Sequence, residues 1–198
     1  MIRKSLLRGL ALAALLLLFP HKEHWSRLPE KGFFQAFPQT RLHQESLSAY
    51  DQLIRQYADS IGWDWRLIAS VVYHESRFNN DARSGKGALG LMQIRSSRYT
   101  EEELLNPARN LQVGTRYLRK LEGMFPAATP LDSVKYALAA FNLGDGRVRG
   151  LVNKAGEAGQ DVSRWDSVAT FLPQGHHTVS YVEKVLDTYA QYCSQYPE

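Results

Sequence analysis

Cysteine is almost absent. Cys193 is the single one in 198 residues, which excludes an intrachain disulfide framework and a cysteine-built zinc site. Charge of one sign is scarce as well. The formal balance is +4 and the sequence pI is near 9.2, but Arg3, Lys4 and Arg8 fall within the first 20 residues with no acid beside them. Beyond them the balance is only +1. That is too little for the basic footprint of a nucleic-acid binder, so no nucleic-acid partner is expected. Long apolar runs are lacking too. Leu10–Phe19 holds ten residues, against the roughly 20 that a membrane-spanning helix needs. No internal repeat and no low-complexity tract is visible. No stretch alternates convincingly as a strand does, and only 85–95 offers weak candidates. What is present is ordinary globular composition, 44% apolar and 22% charged, which excludes disorder along the whole chain. The length suffices for one compact domain plus some tail.

The first 20 residues read as an address. A short basic segment followed by an apolar run fits a secretory signal. No small-x-small pair follows the run: Ala11 and Ala13 come too early, and Pro20, His21, Lys22, Glu23, His24 and Trp25 come next. Residues 1–20 are therefore expected to be a signal peptide or a retained signal anchor with its positive end in the cytoplasm. The rest would face the cell envelope, periplasmic, secreted or anchored. Residues 21–45 are broken by Pro29, Gly32 and Pro38 and read as a linker, with Phe33, Phe34 and Phe37 available to dock on the domain. The domain itself is expected over 46–198, as a monomer.

That body reads as helices, so the expected class is all-α. Leu47, Tyr50, Leu53, Ile54 and Tyr57 recur at helical spacing and predict a helix over 46–60, ending near Gly62. Asp64 is a good N-cap for the next, which carries Leu67, Ile68, Val71 and Val72. Asn106-Pro107 and Thr129-Pro130 place proline at two further starts. Ser163 is expected to cap a short helix over 164–171, and a last helix is expected over 178–193.

One carboxylate breaks the pattern. Glu75 follows Ile68 by seven residues, Val71 by four and Val72 by three, spacings that stack on one helical face. It also falls near the helix C-terminus, where the macrodipole is negative. Desolvation and the dipole both push a carboxyl pKa upward, as a general acid for glycoside cleavage requires. The plain alternative is a glutamate paired with an arginine or bonded to a backbone group. His74 lies about 100° round the helix and is expected to face solvent or a neighbouring loop. Past Glu75-Ser76 comes a polar, glycine-rich stretch with Asn79, Asn80, Asp81, Ser84, Gly85, Gly87 and Gly90, then Leu91-Met92-Gln93-Ile94. It is no phosphate loop, since no Gly-Lys-Ser/Thr follows and no strand precedes. Gln93 offers both a donor and an acceptor. Asn142 reads either as a site amide or as a helix-terminal cap, with Gly144-Asp145-Gly146 turning the chain.

Glu75-Ser76, Gly90-Leu91-Met92-Gln93-Ile94, Ala140-Phe141-Asn142-x-Gly144 and Tyr181-Val182, in this order, resemble the signature of the soluble lytic transglycosylase catalytic domain. Asn106-Pro107, Asn110, Gly114 and Tyr117-Leu118 match its middle helix. The resemblance covers about residues 47–192. It implies a mainly helical, lysozyme-like α+β fold with a substrate cleft. It implies that Glu75 is the catalytic acid/base and that Ser84 lines the cleft. Gly90, Leu91, Met92 and Gln93 would form the substrate-contacting turn, Phe141 and Asn142 would flank the catalytic centre, and Tyr181 would close the cleft. Three positions depart from the pattern: Phe141 stands for the usual Tyr, Arg95-Ser96 for Met-Pro, and His177 for a common Glu.

The implied substrate is the glycan strand of peptidoglycan, cleaved at the β-1,4 bond between N-acetylmuramic acid and N-acetylglucosamine. The usual glycosidase scheme needs two carboxylates, whereas the resemblance implies that a single acid alternates roles and that a 1,6-anhydro ring forms. No metal or organic cofactor is indicated, and His176-His177 reads as loop rather than metal site. A goose-lysozyme-like hydrolase and a catalytically silent peptidoglycan-binding module are the alternatives.

Overall fold

The computed structural model describes residues 46–197. The expected signal segment 1–20 and linker 21–45 lie outside the described residues. The described chain is mostly helical: α1 (Asp51–Asp59), α2 (Trp65–Ser76), α3 (Glu101–Leu105), α4 (Pro107–Glu122), α5 (Pro130–Leu143), α6 (Asp145–Glu157), α7 (Trp165–Ala169) and α8 (His177–Gln195). Over 85–95, strand structure is limited to two isolated antiparallel bridges, Arg83 with Leu89 and Leu89 with Ile94. The helices fall into two compact units. One comprises residues 46–117 and 184–197, the other residues 118–183.

In the first unit α1 packs on α2. Ile54, Ala58, Ile68, Val71 and Val72 are fully buried. The first helix is shorter than its apolar pattern, because Asp51 accepts from the backbone N–H groups of Leu47 and Ser48 at 2.8 and 2.9 Å and holds that segment as a turn. Asp64 caps α2 as expected, accepting from the Arg66 N–H at 2.8 Å. Its carboxylate also pairs with the Arg66 guanidinium at 2.6 Å and accepts from the Tyr189 hydroxyl at 3.0 Å. Arg66 in turn donates to the Tyr196 carbonyl at 3.1 Å. Both charges are thus buried but fully bonded, the condition under which a buried pair is tolerated. The start of α2 is thereby tied to the end of α8. Burial, then the facing Asp64 carboxylate, hold the Tyr189 phenol far above its ordinary value, so it remains a donor.

In the second unit α5, α6 and α7 pack on one another. Tyr136 is buried between Phe125 and Trp165, with ring centroids at 5.4 and 5.5 Å, and donates to the Val162 carbonyl at 2.6 Å. Thr129 caps α5 as expected, accepting from the Asp132 N–H at 3.1 Å. Ser163 does not cap α7. It bonds to Asp161, and the Trp165 N–H is taken at 3.1 Å by the buried Asp132, 33 positions away in sequence. The turn expected at 144–146 is a single residue, Gly144 at φ +98°, after which α6 begins directly at Asp145. That helix buries only Val148 and Ala155. His177 opens α8 and is not a loop residue.

Candidate active site

Helix α2 is buried all round from Trp65 to Val72, Arg66 and Ser70 included. Its apolar face alone therefore does not single out Glu75. Glu75 is distinguished by position: with Tyr73 and His74 it is half-buried in the turn where the helix emerges. Its neighbours are anchored within the same unit. His74 does not face solvent or a loop, because its Nε2 lies 2.8 Å from Thr188 Oγ1 on α8. Burial, then the nearby Arg77 charge, hold the His74 imidazole below its ordinary pKa. The Tyr73 ring lies 6.5 Å from that of Tyr192 and carries the Arg77 guanidinium 4.0 Å above it. Ser76 donates back to the Val72 carbonyl at 3.2 Å.

The helix then ends abruptly. Arg77 and Phe78 are both left-handed, at φ 56° and 60°. The only other described non-glycine residue with positive φ is Gln93, at 48°. Each such residue costs roughly 1–2 kcal/mol, and such conformations collect at functional sites. Here all three belong to the unit that carries Glu75.

Leu89 and Ile94 exchange both backbone hydrogen bonds at 3.0 Å, and the Gln93 N–H closes on the Gly90 carbonyl at 3.1 Å. Residues 90–93 are thus a tight turn at the tip of a closed pair. Gly90 sits at φ +74°, and a Cβ there would collide with Asn110 and the Leu104 carbonyl, so only glycine fits. Asn110, fully buried on α4, accepts from the Met92 N–H at 2.8 Å and donates to the carbonyls of Leu89 at 2.8 Å and Leu104 at 2.7 Å. Leu91 and Met92 are 0% exposed, and Met92 packs on Gly114. Their side chains build the turn from beneath.

Gln93 is half-exposed, and its Nε2 donates to the carbonyls of Ala82 at 3.1 Å and Gly90 at 3.0 Å. Its donor capacity is spent, leaving Oε1 as the free acceptor. Ser84, also half-exposed, turns its hydroxyl to the N–H groups of Ala88 at 2.9 Å and Lys86 at 3.3 Å. It shapes the loop before the turn.

The remaining candidates lie in the second unit. Phe141 and Asn142 are half-buried in the last turn of α5, and Tyr181 is half-buried on α8. Asn142 is not the helix cap, since Gly144 is. Its Oδ1 accepts from the buried Thr178 Oγ1 at 2.8 Å. The carboxamide therefore has its acceptor engaged and its N–H groups left to give, the reverse of Gln93. Thr178 is itself set by its N–H, which donates to His176 Nδ1 at 3.2 Å. Thr178 and Asn110 were missed as site residues. Each is a buried polar group on a helix, a feature with no sequence mark beyond a polar residue in an apolar stripe. Among the described residues no cluster of three or more His, Cys, Asp or Glu could hold a metal ion, and no helix is long and apolar enough to cross a membrane.

Comparison with known proteins adds to this geometry. The family model described as the transglycosylase SLT domain matches residues 52–163, more than half of the chain. The chain is 34% identical over 165 residues to a membrane-bound lytic murein transglycosylase F of Desulfosudis oleivorans, covering 72% of this chain and 36% of that protein. It is 32% identical over 164 residues to one of Marinobacter nauticus, covering 72% and 32%. The chain thus spans about a third of the length of these curated relatives. Among solved structures it resembles the 70 kDa soluble lytic transglycosylase of Escherichia coli, with TM-score 0.56 and 28% identity over 74% of this chain and 24% of that one. An inactive mutant of lytic transglycosylase Slt from Pseudomonas aeruginosa is similar at TM-score 0.57 and 25% identity, covering 74% and 24%.

Proposed function

The chain belongs to the transglycosylase SLT family, and on that premise we propose that it is a peptidoglycan lytic transglycosylase in which Glu75 acts as acid and then as base. The observation that carries this reading is the placement of Glu75. It is a half-buried carboxyl in the exit turn of a helix pinned at both ends, through Asp64 at one and His74 at the other. The backbone that carries the carboxyl is thus fixed from both ends of the helix, which supports its use in a proton transfer that needs a positioned group.

In the proposed reaction Glu75 gives its proton to the glycosidic oxygen as the bond from C1 of the muramic acid breaks, and the N-acetylglucosamine side leaves as an alcohol. The N-acetyl group of the muramic acid stabilises the electron-poor C1. The Glu75 carboxylate then takes the proton of that sugar's C6 hydroxyl, whose oxygen closes on C1. The product carries a 1,6-anhydro end, Glu75 regains its proton and no water is consumed. Gln93 Oε1 suits the N–H of an acetamido group, and the Asn142 N–H groups suit a sugar oxygen. Phe141 and Tyr181 offer aromatic surface to sugar rings.

We place the enzyme in the bacterial envelope, delivered by residues 1–20. The test is incubation of the purified full chain with isolated sacculi and mass analysis of the released fragments. Anhydromuramic ends are expected. Reducing ends would make it a muramidase-type hydrolase, and intact sacculi that retain the protein would make it a binding module.

A further inference from the structure

The Gln93 turn is controlled from inside the unit by one side chain. Asn110 commits both amide hydrogens and its carbonyl oxygen to three backbone groups, two of which, the Leu89 carbonyl and the Met92 N–H, bracket Gly90 and Leu91. The Gly90 carbonyl is the atom on which Gln93 hangs twice, by its backbone N–H at 3.1 Å and by its Nε2 at 3.0 Å. Clamping both flanks of the Gly90 peptide therefore sets the backbone and the carboxamide of Gln93 together. A buried carboxamide is costly unless its groups are paired. An aliphatic residue could fill the core here, but it would take this partner from the buried Met92 N–H and from the Leu89 and Leu104 carbonyls. What the carboxamide adds is a defined turn in which the Gln93 side chain has both N–H groups engaged and Oε1 left to accept.

We propose that Asn110 is a positioning residue for Gln93, holding the turn so that Gln93 faces a ligand with Oε1 rather than Nε2. The identity of that ligand, an N-acetylated sugar presenting its acetamido N–H, rests on the transglycosylase reading above. The positioning itself does not. Asn110→Asp keeps the size and the acceptor for Met92 but sets oxygen against the carbonyls of Leu89 and Leu104. Asn110→Ser, small enough to admit a bridging water, serves where the aspartate variant does not fold.

Two readouts use the full chain. The first is hydrogen exchange of the Gln93 side-chain amide, followed by nuclear magnetic resonance in the absence of sugar. Exchange is expected to speed up about tenfold in the variant, the equivalent of losing about one hydrogen bond. The second is binding of an N-acetylglucosamine tetramer by calorimetry. Asn110→Asp is expected to weaken it about tenfold in the wild-type background and less than about twofold when Gln93 is already alanine. Unchanged exchange at Gln93, or an equal loss of binding in both backgrounds, overturns the proposal, since a merely structural asparagine would act without reference to Gln93. If the unaltered chain binds no tetramer and releases no glycan from sacculi, the functional reading falls, and the exchange measurement still decides the role of Asn110.

Discussion

At the scale of single residues, the two carboxamides illustrate how structure narrows chemistry. Either could donate or accept by type. Gln93 has given its N–H groups to Ala82 and Gly90, while Asn142 has given its oxygen to Thr178. One now presents an acceptor and the other donors, and neither polarity could be read from the sequence, because the partners are two backbone carbonyls and a threonine 36 positions away. Glu75 leads to the most direct prediction. Glu75→Gln is nearly isosteric and cannot act as an acid, so the rate on sacculi should fall roughly 10²–10⁴-fold or more, since one group serves both steps. The thermal midpoint should hold. A variant keeping more than about a tenth of the rate would remove Glu75 from the acid role. Asn142→Ala strips the donors and orphans the Thr178 hydroxyl, which can turn to another acceptor at a cost of about 1–3 kcal/mol or less. Its initial rate should fall by more than its stability loss explains. Phe141→Tyr adds one hydroxyl at a half-exposed position and should leave both rate and midpoint close to the unaltered chain. Equal rates for Asn142→Ala and the unaltered chain would confine Asn142 to joining α5 and α8.

At the scale of elements, α2 is held at both ends. Its start is fixed by the Asp64 cap and its bonds to Arg66 and Tyr189, and its last turn by His74 against Thr188. His74 gives this helix a pH dependence. Burial and then Arg77 hold its pKa below 6.5, with the Lys184 charge acting in the same direction and a bond to the Lys184 backbone opposing it. Between the depressed folded value and 6.5, the unfolded chain binds the proton and the folded chain does not. The stability that neutral His74 confers is therefore complete above 6.5 and is lost as pH falls through the folded value. Thermal midpoints of the unaltered chain should drop on going from about pH 7.5 to about pH 5 more steeply than those of His74→Gln, which keeps a hydrogen-bonding group without a titration. Parallel slopes would show that His74 does not titrate in this range. Helix starts were legible where the cap is local: Asp64, the Asn106-Pro107 pair and Thr129-Pro130 all begin helices as their chemistry dictates. The start of α7 was not, because its cap is Asp132 from α5. Helix α6 was not expected beyond the turn read at 144–146, because Gly146, Gly150 and Gly156 thin its pattern and only Val148 and Ala155 mark a buried side. The short α3 was missed because Glu101–Glu103 carry no apolar period, although Thr100 and Glu103 form a capping box.

At the scale of the whole molecule, class and family were legible because several short motifs recur in order, each with a physical task. In the first unit Gly90 admits Asn110, Gly114 admits Met92 and Asn110 binds the turn. Leu91 and Met92 are buried beneath that turn, and a motif does not tell a contact with substrate from a contact with its own support. A chain with the proposed activity acts only where its polymer is, so delivery belongs to that proposal. Arg3, Lys4 and Arg8 ahead of Leu10–Phe19 fit export, while ten apolar residues are short of the roughly 20 that span a bilayer. A periplasm-dependent reporter fused after Glu198 should therefore be active in cells, and inactive when Leu15 and Leu17 are both replaced by Arg, since charge in the apolar run blocks insertion. Fractionation then separates the two fates of the segment. A cleaved form is released with the soluble periplasm, whereas a retained form stays with membranes through a high-salt wash, because salt screens charge and not apolar burial. An inactive reporter with the apolar run intact, its fusion protein recovered from the cytoplasm, would put the protein out of reach of peptidoglycan and remove the envelope assignment along with the proposed substrate.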